Sequence, residues 1–324
     1  MSKALGLLSG GLDSSLAALC LKRQGIEVTG VAFVTPFFSS SKAEQAARLM
    51  EVPLIIENIS DVHLDMVKSP RYGYGKNLNP CIDCHAMMFR LAGEIMVERG
   101  FDFLFSGEVL GQRPMSQNAN ALRSVANYSG HPDRILRPLS AKILPVTPME
   151  EEGLVDREQL LDIQGRSRKR QEALAKEWQL TDFPSSGGGC LLTEIHFSDR
   201  LRDLFNHQPG CTVSDVELLK IGRQFRLSER AKLTLGRHQN DNEAIRAAAN
   251  EGHTLLRSLG VSGPLGLVSG HPEEEDLRTA GAIVASYGKG KDQPEIEVLA
   301  ETPGEERHFT VTPMAREESQ KLIV

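Results

Sequence analysis

The sequence predicts a doubly wound α/β domain with a smaller α+β domain behind it, and three observations carry that expectation. Apolar, β-branched runs of strand length alternate with helical patterns over the first half of the chain, the pattern of a parallel sheet covered by helices. The first of these runs ends in a Ser-Gly-Gly turn that opens a helix. After residue 181 the composition changes to a stretch rich in Pro, Ser and Gly, and shorter strand-like runs follow. The expected division is residues 1–181, a linker over 182–196 that carries Cys190, and a C-terminal unit over 197–324.

Residues 4–8 read as a buried first strand, and a helix is expected from Asp13-Ser14-Ser15 to about Gln24. Residues 26–33 form the second strand, residues 36–42 a mobile loop, and residues 43–50 have helical spacing. A third strand is expected at 54–56, a long helix at 84–99, a fourth strand at 101–105, and a fifth around Ile135-Leu136. In such a sheet, ligands sit at the carboxyl ends of the strands. The Ser-Gly-Gly turn, Ala32-Phe33 and Ser106-Gly107-Glu108 would then share one rim, with Ala32 and Phe33 beside a base and Gly107 permitting close approach.

Residues 165–178 are helical, and their cations Arg166, Arg168, Lys169 and Arg170 make a face that is solvated or meets phosphate. Further on, residues 232–235, 266–268 and 295–299 are strand-like, 242–251 helical, and the acidic run 273–276 a solvated loop. Lys220, Arg223, Arg226, Arg230, Lys232 and Arg237 form a local basic stretch suited to an RNA backbone.

The net charge is −6, so any nucleic-acid surface must be local. No apolar run is long enough to span a bilayer, and no membrane role is expected. The chain begins with a strand and a polar turn, so no signal peptide is expected and the cytoplasm is the expected compartment. Five cysteines, an odd number, argue against a disulfide framework.

The turn Ser9-Gly10-Gly11-Leu12-Asp13-Ser14-Ser15 is built for phosphate. Glycines let backbone approach a ligand, and the helix start offers unpaired N–H groups to an anion. Ser9, Ser14 and Ser15 add hydroxyl donors, while Asp13 suits a magnesium contact or a helix cap. Neither the Walker A nor the dinucleotide-binding spacing is present. The stretch resembles the Ser-Gly-Gly-x-Asp-Ser loop of the ATP pyrophosphatase superfamily, which adenylates a substrate oxygen and releases pyrophosphate. Within it, Gly107-Glu108-Val109-Leu110-Gly111-Gln112 with Ser116-Gln117, and the downstream Arg137-Pro138-Leu139, resemble segments of the tRNA 4-thiouridine synthetases. Gln112, Arg113 and Gln117 would place amide and guanidinium donors beside the nucleotide.

Cys81-Ile82-Asp83-Cys84 lies at a loop-to-helix junction, and Cys190 follows the flexible Gly187-Gly188-Gly189. C-x-x-C with a remote cysteine resembles the ligand set of iron–sulfur-dependent tRNA thiolation enzymes, in which three thiolates hold a [4Fe–4S] cluster and leave one iron open. A persulfide or redox pair, a zinc site completed by His85 or His196, and C-x-x-C-H haem attachment are the other readings. Cys20 is expected in the core and Cys211 in a structural turn.

Residues 235–243 are similar to the opening segment of the NFACT RNA-binding domain. Compared with 4-thiouridine synthetases, no ferredoxin-like and THUMP region precedes the phosphate turn and no rhodanese domain follows, so tRNA binding is expected to pass to the C-terminal unit. The resemblance implies an adenine nucleotide alpha hydrolase-like fold and a tRNA sulfurtransferase. It would use ATP, Mg²⁺ and the cluster, with inorganic sulfide or a cysteine desulfurase as sulfur donor, and a homodimer is compatible with the sequence. Its expected product is 4-thiouridine at tRNA position 8. A tRNA 2-thiouridine synthase, a sulfur-independent ATP pyrophosphatase such as an amide synthetase, and a non-catalytic RNA-binding module are the alternatives.

Overall fold

Short apolar strands with no polar face can be stable only when covered on both sides, and this dictates the N-terminal layer order. In the computed structural model, which describes residues 1–180 and 189–324, β1 (Lys3–Leu7), β2 (Glu27–Val34), β3 (Leu54–Asn58), β4 (Phe103–Ser106) and β5 (Ile135–Leu136) form one parallel sheet in the order β3-β2-β1-β4-β5. The order reverses at β1, so the crevice between β1 and β4 is the topological switch point. On one face, α1 (Leu12–Lys22), α2 (Ser41–Met50) and α7 (Lys169–Glu177) contribute to a core that includes Leu16, Leu21, Phe105 and Leu136. On the other, α4 (Cys81–Arg99) and α5 (Ala119–Ser129) pack Phe89, Ile95 and Val125 against Leu5 and Leu104. Two shorter helices, α3 (Ser60–Lys68) and α6 (Pro148–Glu151), complete the unit. The doubly wound α/β expectation holds, and the strand and helix bounds move by a few residues.

The chain divides into Met1–Thr193 and Glu194–Val324. Cys190 therefore belongs to the first unit. Gly187 and Gly188, expected to act as a hinge, lie outside the described residues.

The second unit is an antiparallel sheet in the order β11-β10-β8-β9-β7-β6. Its strands are β6 (Arg223–Arg226), β7 (Ala231–Leu235), β8 (Thr254–Ser258), β9 (Gly266–Gly270), β10 (Ile296–Thr302) and β11 (Glu305–Val311). The helices are α8 (Ile195–His207), α9 (Val213–Leu218), α10 (Gln239–Ala248), α11 (Glu274–Ser286) and α12 (Arg316–Lys321). Ile283 and Val284 of α11 pack onto Leu233, Leu256 and Val298.

Two local expectations are corrected. Residues 36–42 are not loop throughout: Phe37 is fully buried, Thr35 bridges Phe38, and α2 opens at Ser41. The acidic run 273–276 is not a loop but the first turn of α11. Glu273 and Asp276 form a reciprocal capping box there, and carboxylates favour the positive end of a helix.

Candidate active site

The ends of β1, β2 and β4 open onto a cavity of about 380 Å³, with Leu8, Ala32, Phe33, Ser106 and Gly107 on its wall. Three helices present their first turns to it: α1 through Asp13 and Ser14, α2 through Ser41 and Lys42, and α4 through Cys81 and Cys84. Each brings unpaired N–H groups and a partial positive charge, so the field in the cavity favours phosphates and thiolates.

The phosphate turn is held open from within. Ser9 Oγ lies 3.2 Å from Ser14 Oγ and accepts from the Gly11 N–H at 3.3 Å, while Ser14 Oγ donates to the Gly11 carbonyl at 2.9 Å. Gly11 caps α1 without a side chain, leaving the first N–H groups to a ligand. Gly10 has φ 75°, and a Cβ there would stand 2.2 Å from the Lys42 carbonyl carbon, which is how α2 comes so close. A Cβ on Gly107 would lie 2.4 Å from Asp13 C and Ser14 N. Gly107 thus serves the approach of two backbones. Gly107→Ala should push the β4 loop and α1 apart and weaken adenine-nucleotide binding at least about tenfold, with a stability loss of about 1–3 kcal/mol. Calorimetric titration returning wild-type affinity would show the contact to be dispensable.

Asp13 does not cap its helix. Its Oδ2 meets Arg168 Nη2 at 2.7 Å and accepts from Gln112 Nε2 at 2.8 Å, and Gln112 is held in turn by Gln171 at 3.1 Å. The remaining oxygen, Oδ1, is buried without a hydrogen-bond partner. A carboxylate oxygen of that kind beside a phosphate turn fits Mg²⁺, which takes one or two carboxylates and completes its shell with phosphate oxygens and water. Ser15 is buried and Gln112 is spent on Asp13, so neither is on the cavity wall, whereas Arg113 and Gln117 are. The sequence reading missed Arg168 as Asp13's partner; the basic run containing it was the only signal.

The two segments that resembled 4-thiouridine synthetases meet in one ion pair. Arg137 Nε donates to Glu108 Oε2 at 2.9 Å, and His85 Nδ1 lies 2.8 Å from Glu108 Oε1. Burial alone would raise the Glu108 carboxyl, but Arg137 and His85 overrule it and hold the pKa down at about 2. His85 is therefore engaged by a carboxylate.

Cys81, Cys84 and Cys190 all line the cavity. The Cys190 segment is fastened there by Leu191 N–H to the Phe37 carbonyl (3.0 Å) and Asn77 Nδ2 to the Thr193 carbonyl (2.7 Å). Cys81 Sγ accepts from Asn79 Nδ2 at 3.3 Å. Burial pushes the Cys84 thiol well up, and Cys190, Cys81 and Asp83 add to the rise. Its sulfur lies 3.3 Å from Nε2 of His63, a residue that no motif announced. His63 is fully buried, edge-on to Phe38, with its pKa lowered to about 4 by burial, so the ring is neutral near pH 7. Nδ1 is buried without a partner. A stranded lone pair costs less than a stranded N–H, so the proton belongs on Nε2, pointed at sulfur. Cys20 is in the core, where burial raises its thiol to about 11, and Cys211 is buried as well.

Among the described residues, no three His, Cys, Asp or Glu side chains are drawn close enough to hold a single metal ion. A four-iron cluster makes a different demand, since each thiolate binds its own iron and the ligands stand further apart. Three thiols on one cavity wall fit that donor set.

In the second unit, the basic stretch is largely neutralised from within. Arg226 forms a two-point pair with Asp203 (2.6 and 3.1 Å). Lys232 lies 3.8 Å from the same carboxylate, and burial lowers its ammonium to about 7. Arg230 meets Glu273 at 2.6 Å, Arg237 meets Asp241 at 2.9 Å, Lys220 meets Glu217 at 2.6 Å, and Arg223 lies over the Tyr287 ring. Surface pairs contribute little, so Lys220, Arg230 and Arg237 remain able to exchange a carboxylate for a phosphate. Arg226 and Lys232 are structural.

Residues 1–142 match the sequence model of the thiamine biosynthesis protein (ThiI) family, and residues 222–323 match that of the NFACT protein RNA binding domain. A tRNA-specific 2-thiouridylase MnmA from Marinobacter nauticus is 24% identical, the match covering 84% of this chain and 76% of that protein. A probable tRNA sulfurtransferase from Staphylococcus aureus is 29% identical over 42% of this chain, which spans about a third (34%) of that relative's length. A solved 4-thiouridine synthetase–RNA complex with bound ATP is 25% identical over 55% of this chain and 50% of its own, with a TM-score of 0.35.

Proposed function

We propose that the protein is an ATP-dependent tRNA sulfurtransferase that converts a uridine to 4-thiouridine, at position 8. The observation that carries this reading is the meeting of a phosphate turn and three cysteines on one cavity wall. Activation and sulfur delivery then need no transfer between distant sites. The segments around Gly107–Gln112 and Arg137–Leu139, which resemble those of 4-thiouridine synthetases, favour the 4-thio product, while the 2-thiouridylase relative keeps the 2-thio product as the second reading.

A uracil carbonyl oxygen is a poor leaving group. Attack by that oxygen on the α-phosphorus of ATP makes an AMP ester and releases pyrophosphate. Sulfur then adds to the activated carbon, and AMP departs with the C–O bond. The N–H groups at the start of α1, with Ser9 and Ser14, hold the departing pyrophosphate. Asp13 Oδ1 offers a magnesium ligand, and Arg168 and Gln112 fix its carboxylate in that orientation. Arg113 and Gln117 face the cavity as donors for the base or the developing phosphate charge. Ala32 and Phe33 offer an apolar edge to adenine.

Cys81, Cys84 and Cys190 would hold a [4Fe–4S] cluster. When bound, such a cluster supplies an iron with a vacant position at which sulfide can be held. His63 keeps the Cys84 sulfur in place through Nε2–H, and Asn79 does the same for Cys81. The sulfur itself comes from inorganic sulfide or a cysteine desulfurase. The NFACT-type domain is the expected anchor for the rest of the tRNA.

The test is incubation of anaerobically purified protein with unmodified tRNA transcript, ATP, Mg²⁺ and sulfide. Nucleoside mass spectrometry should then detect 4-thiouridine, together with stoichiometric pyrophosphate. A 2-thiouridine product would select the second reading, and no thiolated nucleoside would refute the proposal. Asp13→Ala should lower pyrophosphate release by at least about a hundredfold, the scale of a lost electrostatic stabiliser. Undiminished release would remove Asp13 from the metal site.

A further inference from the structure

The loop between α3 and α4 ends at Cys81 and carries Arg71, Tyr72 and Lys76 to the surface. Tyr72 from this loop and Tyr128 from α5 stand edge to face, with ring centroids 6.0 Å apart. Both are 43% exposed, an unusual fate for two aromatic rings already in contact. The Arg71 guanidinium carbon lies 5.8 Å from the Tyr72 centroid and 5.1 Å from that of Tyr128. Among the described residues, neither Arg71 nor Lys76 has a carboxylate within ion-pair distance. The basic stretch of the C-terminal unit is the opposite case, since five of its six cations lie beside carboxylates.

The group is also held still. Asp83, between the two cysteines of α4, is buried, and its two oxygens accept the backbone N–H groups of Arg71 (2.9 Å) and Tyr72 (3.0 Å). The Tyr74 hydroxyl donates to the Val67 carbonyl at 2.7 Å, and Gly75 N–H donates to the Asn79 carbonyl at 3.0 Å. The residue that fixes the aromatic loop therefore sits in the same helical turn as Cys81 and Cys84, whose side chains line the cavity.

We propose that Arg71, Tyr72 and Tyr128 form a stacking platform for an unpaired nucleobase of the RNA substrate, on the surface that Asp83 fastens to the first turn of α4. The proposal rests on the tRNA reading above and gives that RNA a contact point on the N-terminal unit. Aromatic rings and guanidinium planes stack on bases of any sequence, and an unpaired cation adds attraction for the adjoining phosphate. Because the loop is already fixed, little conformational freedom is lost on binding. The platform grips a nucleotide other than the target uridine and leaves choice of the reacting base to the cavity.

Ultraviolet cross-linking of the full-length protein to unmodified tRNA transcript, followed by peptide mass spectrometry, should place nucleotide adducts on Tyr72 or Tyr128. By fluorescence anisotropy, Tyr72→Ala and Tyr128→Ala should each weaken tRNA binding about tenfold, whereas Tyr72→Phe keeps the ring and the affinity. Arg71→Ala should also lower the slope of affinity against salt by about one phosphate contact. ATP affinity should be unchanged in all four. Wild-type affinity in the alanine variants, with no adduct at either tyrosine, would overturn the platform while leaving thiolation by the wild type intact; a surface that serves a protein partner would give that result. Adducts at Tyr72 with no thiolated nucleoside would uphold the platform and overturn the sulfurtransferase reading. No tRNA binding by the wild type would overturn both.

Discussion

Cys84→Ala should abolish sulfur transfer to tRNA, a loss of at least about a thousandfold, while ATP binding survives. In the proposed function the nucleotide is held by the first turn of α1 and the β-strand ends, and Cys84 belongs to neither. What disappears is one of three thiols on a shared wall, the one whose sulfur lies 3.3 Å from His63 Nε2. The same outcome is expected for Cys81→Ala and Cys190→Ala, together with loss of iron, of acid-labile sulfide and of visible absorbance in anaerobic preparations. Cys20→Ala and Cys211→Ala should keep all three, because both thiols are structural. The alanine at 84 also strands the His63 Nε2–H, at a stability cost of about 1–3 kcal/mol. Cys84→Ser separates the two effects: it retains a hydrogen-bond acceptor but not a thiolate, so it should melt nearer the wild type and still fail to load iron. Metal ligation requires deprotonation, and burial holds the Cys84 thiol up, so iron loading should be favoured by rising pH. Full thiolation by an iron-free preparation supplied with a persulfide donor would replace the cluster with a persulfide mechanism. Stoichiometric zinc in the anaerobic protein would point to a structural site instead.

Why some of this was legible in the sequence and some was not follows from the range of the interactions. The parallel sheet was legible because β1 and β2 must be apolar on both faces, and that pattern is local. The phosphate turn was legible because its glycines, serines and helix start lie within seven residues. The partners of its carboxylate were not: Arg168 reaches Asp13 across 155 positions. The pairing of the C-terminal cations was hidden for the same reason. Asp203 is far in sequence from Arg226 and Lys232, and Glu273 is far from Arg230, so a stretch that counts as basic along the chain is mostly paired in space. The acidic run 273–276 reads as solvated loop until the capping geometry at Glu273 shows why acids begin a helix. His63 had no motif at all, because its role depends on burial beside Cys84 rather than on spacing. The aromatic platform was invisible for a related reason, since Tyr72 and Tyr128 belong to different elements.

Glu108→Gln should destabilise the N-terminal unit by about 3–5 kcal/mol at neutral pH, the scale of breaking a buried ion pair from one side. Glutamine keeps the shape but not the charge, and Arg137, nearly as buried as Glu108 itself, is left as an uncompensated cation. For a unit of this size, that corresponds to a fall of about 10 °C in the transition of this unit. The effect has a defined pH dependence. Glu108 has a folded pKa of about 2 against an ordinary 4.5, so its contribution is fully present above the unfolded value and is lost as pH falls through the folded one. The gap in melting temperature between wild type and Glu108→Gln should therefore be constant from neutral pH down to about 5 and close progressively below it. Removing both partners is a different experiment from removing one. Glu108→Gln combined with Arg137→Met takes the stranded charge away, and it should recover a large part of the lost stability, although His85 loses its carboxylate in both variants. Thermal denaturation of the wild type, the single variant and the double variant across that pH range reads all three expectations. Equal melting of wild type and Glu108→Gln at neutral pH would mean that Glu108 and Arg137 are not the pair that fastens the β4 loop to the β5 end of the sheet.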